Sequence, residues 1–245
     1  MFTKGVGEPI PLLMPSILAT EKFMGTVSNF LTTIKNSEQA LDLFKDGGEV
    51  AIDAVLEEHG IDGVLKDIPI LNIAVSLHRM GNKVSAYFFA KNMLAFLMEI
   101  DKVPNQKRIE FLDENCADDA GIESVGEVAL MILDKLDHPK LAAMLGRAFA
   151  LLTLGTISKY SFEIYAHTIK IMNPYLQQQL KQCYQFKGMI GVDLPAANIL
   201  ANYGLLEVGY KISINGHTTS MPFSISTTPF GEVFYSKILV GSNSY

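Results

Sequence analysis

Residues 193–239 read DLPAANILANYGLLEVGYKISINGHTTSMPFSISTTPFGEVFYSKIL, and the hydrophobic period of this stretch changes twice. In its first part, apolar side chains recur at the spacing of one face of an α-helix. These residues are Ala196, Ala197, Leu200 and Tyr203. Gly204 follows them directly, and a glycine at this position commonly ends a helix in the left-handed conformation. The stretch therefore predicts a short helix that ends at Gly204.

Strand-like alternation replaces the helical period after Gly204. One apolar face is formed by Val208, Tyr210, Ile212 and Ile214, and a second one by Met221, Phe223 and Ile225. Asn215-Gly216 lies between the two runs and suits a type I′ turn, because both residues accept positive φ angles. The pattern predicts a β-hairpin. Pro222 is expected on an edge strand, where a missing N–H donor is tolerated.

A second helix is predicted after the hairpin. Thr228 is a preferred N-cap residue, and Pro229 fits the first helical position. The apolar face of this helix is formed by Phe230, Val233, Phe234 and Ile238. Helix, hairpin and helix in this order are typical of a winged-helix domain. We therefore predict a winged-helix-like α+β module over residues 188–245.

The preceding residues, 1–187, predict a helical bundle. Helical periodicity recurs in segments with short connections, which favour antiparallel packing. The connections contain Gly47-Gly48, Gly60, Gly81-Asn82, His138-Pro139, Gly155 and Asn173-Pro174. The longest helix is expected from Lys83 to Ile100, and its breadth of apolar surface predicts the central buried element. This surface consists of Val84, Phe88, Phe89, Met93, Phe96 and Leu97. The predicted fold class is mainly α, a helical bundle followed by the α+β module.

Two parts of the chain resemble known families. Gly204-Leu205-Leu206 and Thr228-Pro229-Phe230-Gly231 are similar to the steps that enter the wing and open the last helix of many winged-helix proteins. The block 89–176 resembles uncharacterised helical proteins of bacteria and their mobile elements, at residues 91–99, 133–137, 140–150 and 157–162. The complete layout is similar to that of abortive-infection proteins of the Abi-alpha kind. This resemblance implies a setting in phage defence and no catalytic position.

Charge argues against nucleic acid as the main ligand. The chain has 20 Lys and Arg residues against 26 Asp and Glu residues, a net charge of −6. From residue 188 onward, Lys211 and Lys237 are the basic residues, and the predicted recognition helix, 194–203, has no charge. DNA-binding winged helices need basic side chains at the phosphates. The candidate contact residues for DNA or a protein partner are Lys187, Asn198, Asn202, Lys211 and His217.

No motif of known chemistry appears in the sequence. The chain lacks the GxSxG, GxxxxGK[ST] and GxGxxG patterns, and its five histidines lack metal-ligand spacing. Cys116 and Cys183 are interpreted as buried thiols. Glu163 and His167 lie one helical turn apart and could form a base with its orienting carboxylate, although such pairs are usually surface contacts. We predict no catalytic residue, no cofactor and no metal.

Hydrophobicity is high, with 49% apolar residues. It is concentrated in residues 68–77, 84–98 and 141–157, but basic residues end or interrupt each run. A membrane-spanning helix needs about 20 mostly apolar residues, so none of these runs is expected to span a membrane constitutively. The start of the chain also lacks the pattern of a targeting segment. A cytoplasmic location is therefore expected.

Three functions remain open from the sequence. The first is a non-enzymatic interaction or effector protein, in which the winged helix docks a protein partner. The second is a transcriptional regulator that binds DNA as a symmetric dimer, with Lys187, Lys211 and His217 near phosphates. The third is a membrane-active toxin that inserts residues 68–98 or 141–157 on activation. The sequence also leaves homo-oligomerisation open.

Overall fold

A computed structural model of the protein describes residues 17–37, 68–73, 83–115, 125–186, 192–210 and 223–241. Over these residues the fold is mainly helical, with a small two-stranded sheet near the C-terminus. The helices are α1 (Ile17–Lys35), α2 (Lys83–Ile100), α3 (Asn105–Asn115), α4 (Glu127–Asp134), α5 (Pro139–Thr153), α6 (Lys159–Ile171), α7 (Pro174–Gln185), α8 (Leu194–Asn202) and α9 (Pro229–Val233). The strands are β1 (Leu206–Tyr210) and β2 (Phe223–Thr227), and a 3-10 turn spans Pro69–Leu71.

The bundle is organised around the contact between α2 and α5, which pack most closely at Gly146. A Cβ atom on Gly146 would lie 2.6 Å from the carbonyl oxygen of Phe96 and 2.9 Å from the Cβ of Glu99. Any side chain at this position would therefore force the two backbones apart. Glycine allows the close approach, and the two helices bury their apolar faces against each other.

Phe149 of α5 is the centre of an aromatic cluster that joins four helices. Its ring lies 5.7 Å from that of Phe96 on α2, 5.9 Å from that of Phe111 on α3 and 5.7 Å from that of Phe162 on α6. All three contacts are edge-to-face, the arrangement that the aromatic quadrupole favours. Phe30 extends the cluster to α1 through Phe96, at 5.5 Å. The bundle therefore has one aromatic centre.

Burial of α2 differs from the sequence prediction in its first two turns. Met93, Phe96 and Leu97 are fully buried, but Val84 is 69% exposed and Phe88 is 47% exposed. In these turns Ala86 and Ala90 are fully buried, and Tyr87 and Phe89 are half-buried against the core. The prediction of a helix buried on most sides is therefore correct for the C-terminal half of α2 and wrong for its start, because neighbouring elements cover one face there.

Helix ends in the bundle follow the local signals of the sequence. Pro139 and Pro174 occupy the first turns of α5 and α7, and the side chains of His138 and Asn173 cap these helices. Gly155 has a φ of 68° just after α5. These turn predictions are confirmed. The turns predicted at Gly47-Gly48, Gly60 and Gly81-Asn82 lie outside the described residues.

An unpredicted ionic contact anchors α3. Arg108 is 2% exposed, and its guanidinium is 3.2 Å from the carboxylate of Asp101 and donates a hydrogen bond to the hydroxyl of Ser37. Arg108 lies among charged residues in the sequence, and nothing in their pattern indicates its burial. The contact ties α3 to the end of α1 and to the turn after α2.

The C-terminal residues form the predicted helix, antiparallel strand pair and helix. Leu206 pairs with Thr227, Val208 with Ile225 and Tyr210 with Phe223. Gly204 ends α8 with a φ of 72°, and the buried face of α8 contains Ala196, Ala197 and Leu200. Tyr210 was expected to share a buried face with Val208, but it is 64% exposed, because it lies at the outer end of the described two-stranded ribbon. Asn215-Gly216 and Pro222 lie outside the described residues.

The last helix begins as predicted and then widens. The hydroxyl of Thr228 accepts a hydrogen bond from the Gly231 N–H, and Pro229 follows in the first turn. From Phe234 to Leu239 the backbone is π-helical. Phe234 and Ile238 of the predicted apolar face are buried, and the wider turn also brings Leu239 into the core.

A compact junction joins the end of α8 to the start of α9. The Tyr184 hydroxyl donates to the carbonyl of Leu205 at 2.7 Å and accepts from the N–H of Thr228 at 3.3 Å. The Thr228 hydroxyl donates to the carbonyl of Gly204 at 2.6 Å. A Cβ atom on Gly231 would collide with the Tyr184 hydroxyl and the Leu205 carbonyl. Glycine is therefore required at residue 231.

The C-terminal segment packs directly on the bundle. Arg147 of α5 donates from Nε to the carbonyl of Ile238 at 2.7 Å and from its terminal nitrogen to Glu99 at 3.0 Å. Tyr165 of α6 donates to the carbonyl of Phe230 at 2.7 Å, and their rings stack with centroids 4.3 Å apart. The buried apolar residues of the described helices and strands form one continuous cluster. The predicted boundary at residues 187 and 188 lies outside the described residues.

Substitution of Gly146 tests the close contact of α2 and α5. We expect Gly146→Ala to lower the free energy of unfolding by about 1 to 2 kcal/mol, because overpacking outweighs the gain in helix propensity. Gly25→Ala is the matched control, since Gly25 is exposed on α1 with no atom within 4 Å of its virtual Cβ. It should raise the unfolding free energy by about 0.5 to 1 kcal/mol. Urea unfolding measures both changes, and unaltered stability of Gly146→Ala would contradict the packing.

Alkaline pH tests the buried tyrosines. Burial raises the pKa of Tyr184 and Tyr165, so the fold favours their neutral forms. This contribution to stability is fully present below the ordinary tyrosine pKa of about 10 and is lost as the pH rises through the higher pKa of the folded state. Tyr184→Phe should lower the free energy of unfolding by about 1 to 3 kcal/mol at pH 7, because the buried Leu205 carbonyl loses its hydrogen-bond donor.

The same variant should show a shallower loss of stability above about pH 10 than the wild type. Tyr160→Phe is the control. Because Tyr160 is 73% exposed, its substitution should change neither the free energy of unfolding at pH 7 nor its dependence on pH. Identical pH profiles for Tyr184→Phe and the wild type would show that ionisation of Tyr184 does not contribute to the loss of stability at alkaline pH.

Candidate functional site

The side of α8 that points away from the core carries two of the predicted contact residues. Asn198 and Asn202 lie there with Ile199, which is 40% exposed. Tyr210 of β1 extends the same surface, and its hydroxyl donates to the side-chain oxygen of Asn198 at 3.1 Å. We refer to Asn198, Ile199, Asn202 and Tyr210 as the outward face. Its four side chains combine exposed apolar area with amide groups and carry no charge.

The segment that carries the outward face is acidic. Asp193 precedes α8 and Glu207 follows it on β1, and both are exposed. No Lys, Arg or His occurs from Val192 to Tyr210. The hydroxyl of Tyr175 bonds to the Asp193 carboxylate, which raises the pKa of Tyr175. The backbone N–H of Asp193 donates to Gln179 at 2.8 Å, so α7 fixes the start of α8.

The structure locates only part of the predicted contact set. Asn198 and Asn202 are on the outward face, whereas Lys187, Lys211 and His217 lie outside the described residues. Sequence reasoning missed Ile199 and Tyr210. Ile199 is out of phase with the buried stripe of α8, which is the signal that could have identified it. Tyr210 gave no such signal, because it follows the alternation of a buried strand face.

A cleft of about 630 Å³ lies between α6 and the end of α8. We refer to it as the composite cleft, because its lining comes from the bundle and from the C-terminal segment. The lining includes Tyr160, Glu163, His167, Asn202, Tyr203 and Phe230. Phe230 is held in place by its stacking on Tyr165 and by the hydrogen bond to its carbonyl. The cleft therefore has a fixed aromatic component.

The polar side chains of the composite cleft are available to a ligand. Glu163, His167 and Asn202 make no side-chain hydrogen bond or ion pair with another described residue. Glu163 and His167 thus line one cleft without forming the base and carboxylate pair that their spacing allows. The cleft offers a carboxylate, an imidazole and an amide beside aromatic rings, which is chemistry suited to binding.

The described residues contain neither a cluster of metal ligands nor a membrane-spanning helix. Within the described ranges, no three His, Cys, Asp or Glu side chains come close enough together to hold a metal ion. None of the described helices combines the length and the apolar character needed to cross a membrane. Leu94 and Leu152, in the apolar runs, are buried in the core.

No protein-family model matches the chain, and comparison with curated proteins and with solved structures finds no match either. What the outward face and the composite cleft can bind is therefore inferred from their geometry and chemistry.

Proposed function

We propose that the protein is a non-enzymatic interaction protein that docks a protein partner through the outward face of a winged-helix-like module. The observation that carries this proposal is that the outward face is exposed and uncharged. Ile199 and Tyr210 provide its apolar area, and the Tyr210 hydroxyl bonds to the amide side chain of Asn198. Exposed aromatic and aliphatic residues with few charges are typical of the centre of a protein interface.

The charge around the outward face favours a protein over DNA. A DNA-binding helix would need basic side chains to neutralise phosphates, and none is present from Val192 to Tyr210. Asp193 and Glu207 give this segment a net negative charge, which is unfavourable near phosphates. The same carboxylates suit a partner whose interface has an apolar centre and a basic rim. We propose such a protein as the occupant of the outward face.

The layout of the chain supports a bacterial setting for this role. Its resemblance to abortive-infection proteins is the basis for proposing phage defence in the cytoplasm. In that setting the helical bundle would carry the effector role, and the C-terminal module would provide the docking surface.

A capture experiment with matched variants tests the docking surface. The full-length protein carries an affinity tag, is cross-linked in its host and is purified, and the captured proteins are quantified by mass spectrometry. We expect Ile199→Glu to reduce capture of the specific partner about 30-fold, the effect of losing a central interface contact. Val84→Glu is the control, since Val84 is 69% exposed on α2, and capture should persist. Equal capture by Ile199→Glu and the wild type would refute the proposal.

Duplex DNA tests the alternative of a transcriptional regulator. Fluorescence polarisation with labelled random duplex across a salt series should detect no binding at low salt. Tight binding that weakens steeply with salt would establish phosphate contacts and replace the docking proposal with DNA binding.

A further inference from the structure

The composite cleft places an unpaired carboxylate among aromatic rings. Tyr160, Glu163 and His167 lie on one face of α6, at spacings of three, four and seven residues. Tyr203 and Asn202 approach from the end of α8. The carboxylate of Glu163 has no partner among the described side chains. A ligand that fits must therefore satisfy a negative charge and cover flat aromatic surface.

We propose that the composite cleft receives an arginine side chain of the protein partner. A guanidinium is planar, so it can stack on a tyrosine ring and donate two parallel hydrogen bonds to a carboxylate. Glu163 accepts these bonds, Tyr160 and Tyr203 provide the rings, and the Asn202 amide oxygen accepts a further N–H. A lysine ammonium is compact and strongly hydrated, and it gains less from the rings.

The electrostatics of the cleft disfavour an anionic group beside Glu163. The described lining contains no Lys or Arg, and Glu163 would face an anion directly. A cation is attracted by the same carboxylate, and partial burial in the cleft weakens the screening by water. Charge complementarity therefore selects a cationic side chain.

The location of the cleft connects it to the docking surface, and the inference rests on the proposed function. Asn202 belongs to the outward face and also lines the composite cleft. A partner that covers Ile199 and Tyr210 lies next to the cleft entrance. The basic rim proposed for this partner supplies the arginine.

The arginine site is tested on the full-length protein with a small probe. N-acetyl-L-arginine amide is titrated at pH 7, and its effect is followed by NMR at the Asn202 amide, the His167 ring and the Tyr160 ring. N-acetyl-L-citrulline amide is the control, because it has a similar shape without the charge. We expect saturable shifts at these three residues with a Kd on the order of 1 to 10 mM for arginine, the affinity of a small isolated contact.

The citrulline probe and the Glu163→Gln variant should each lower the affinity about tenfold. Glu114→Gln removes an exposed carboxylate of α3, outside the cleft, and should leave the affinity unchanged. Equal affinities for the two probes, retention of arginine affinity by Glu163→Gln, or no saturable shift would each overturn the inference.

The arginine site and the docking surface can fail separately. If the arginine probe does not bind but Ile199→Glu still loses the partner, the docking proposal stands without an arginine anchor. If the probe binds at the three cleft residues and Ile199→Glu captures the same proteins as the wild type, the cleft is an arginine site and the outward face is not the docking surface.

Discussion

The close approach of α2 and α5 at Gly146 is the constraint on which the rest of the structure depends. Because no Cβ separates the helices there, Arg147 lies where its guanidinium reaches both Glu99 of α2 and the carbonyl of Ile238. Phe149, three residues after Gly146, lies at the centre of the aromatic cluster. The same contact thus closes the bundle and provides the surface on which the C-terminal segment is seated.

The junction around Tyr184 gives a physical reason for the residues of the two steps Gly204-Leu205-Leu206 and Thr228-Pro229-Phe230-Gly231. The Thr228 hydroxyl both caps α9 and bonds the carbonyl of Gly204, while Gly231 leaves room for the Tyr184 hydroxyl. Each residue is required by the packing of the chain on itself. The steps therefore carry information about the fold and none about a ligand, which is why the chemistry of the outward face has to be considered separately.

Local signals in the sequence predicted more of the fold than of the site. Prolines, glycines and cap residues gave the ends of α5, α7 and α8, because the forces that act there involve neighbouring residues. Exposure of Val84 and Phe88 and burial of Arg108 depend on which elements pack nearby, and periodicity does not contain that information. The composite cleft was the feature least accessible to prediction from local sequence. It brings Glu163 and Asn202 together from different elements. Each residue was noted in its own segment, but no local pattern indicates that the two line one cleft.

The composite cleft and the outward face are continuous at Asn202 and differ in their chemistry. Tyr165 lies on α6 between Glu163 and His167 in sequence, and its hydrogen bond and stacking hold Phe230 in place. The α6 wall and the Phe230 ring are thus fixed relative to each other before a ligand arrives, and a preorganised site loses less conformational entropy on binding. Apolar area is provided by Ile199 and Tyr210, whereas Glu163 provides charge. In the proposed interface the apolar centre would contribute most of the affinity, and the carboxylate in the cleft would determine which partners are rejected.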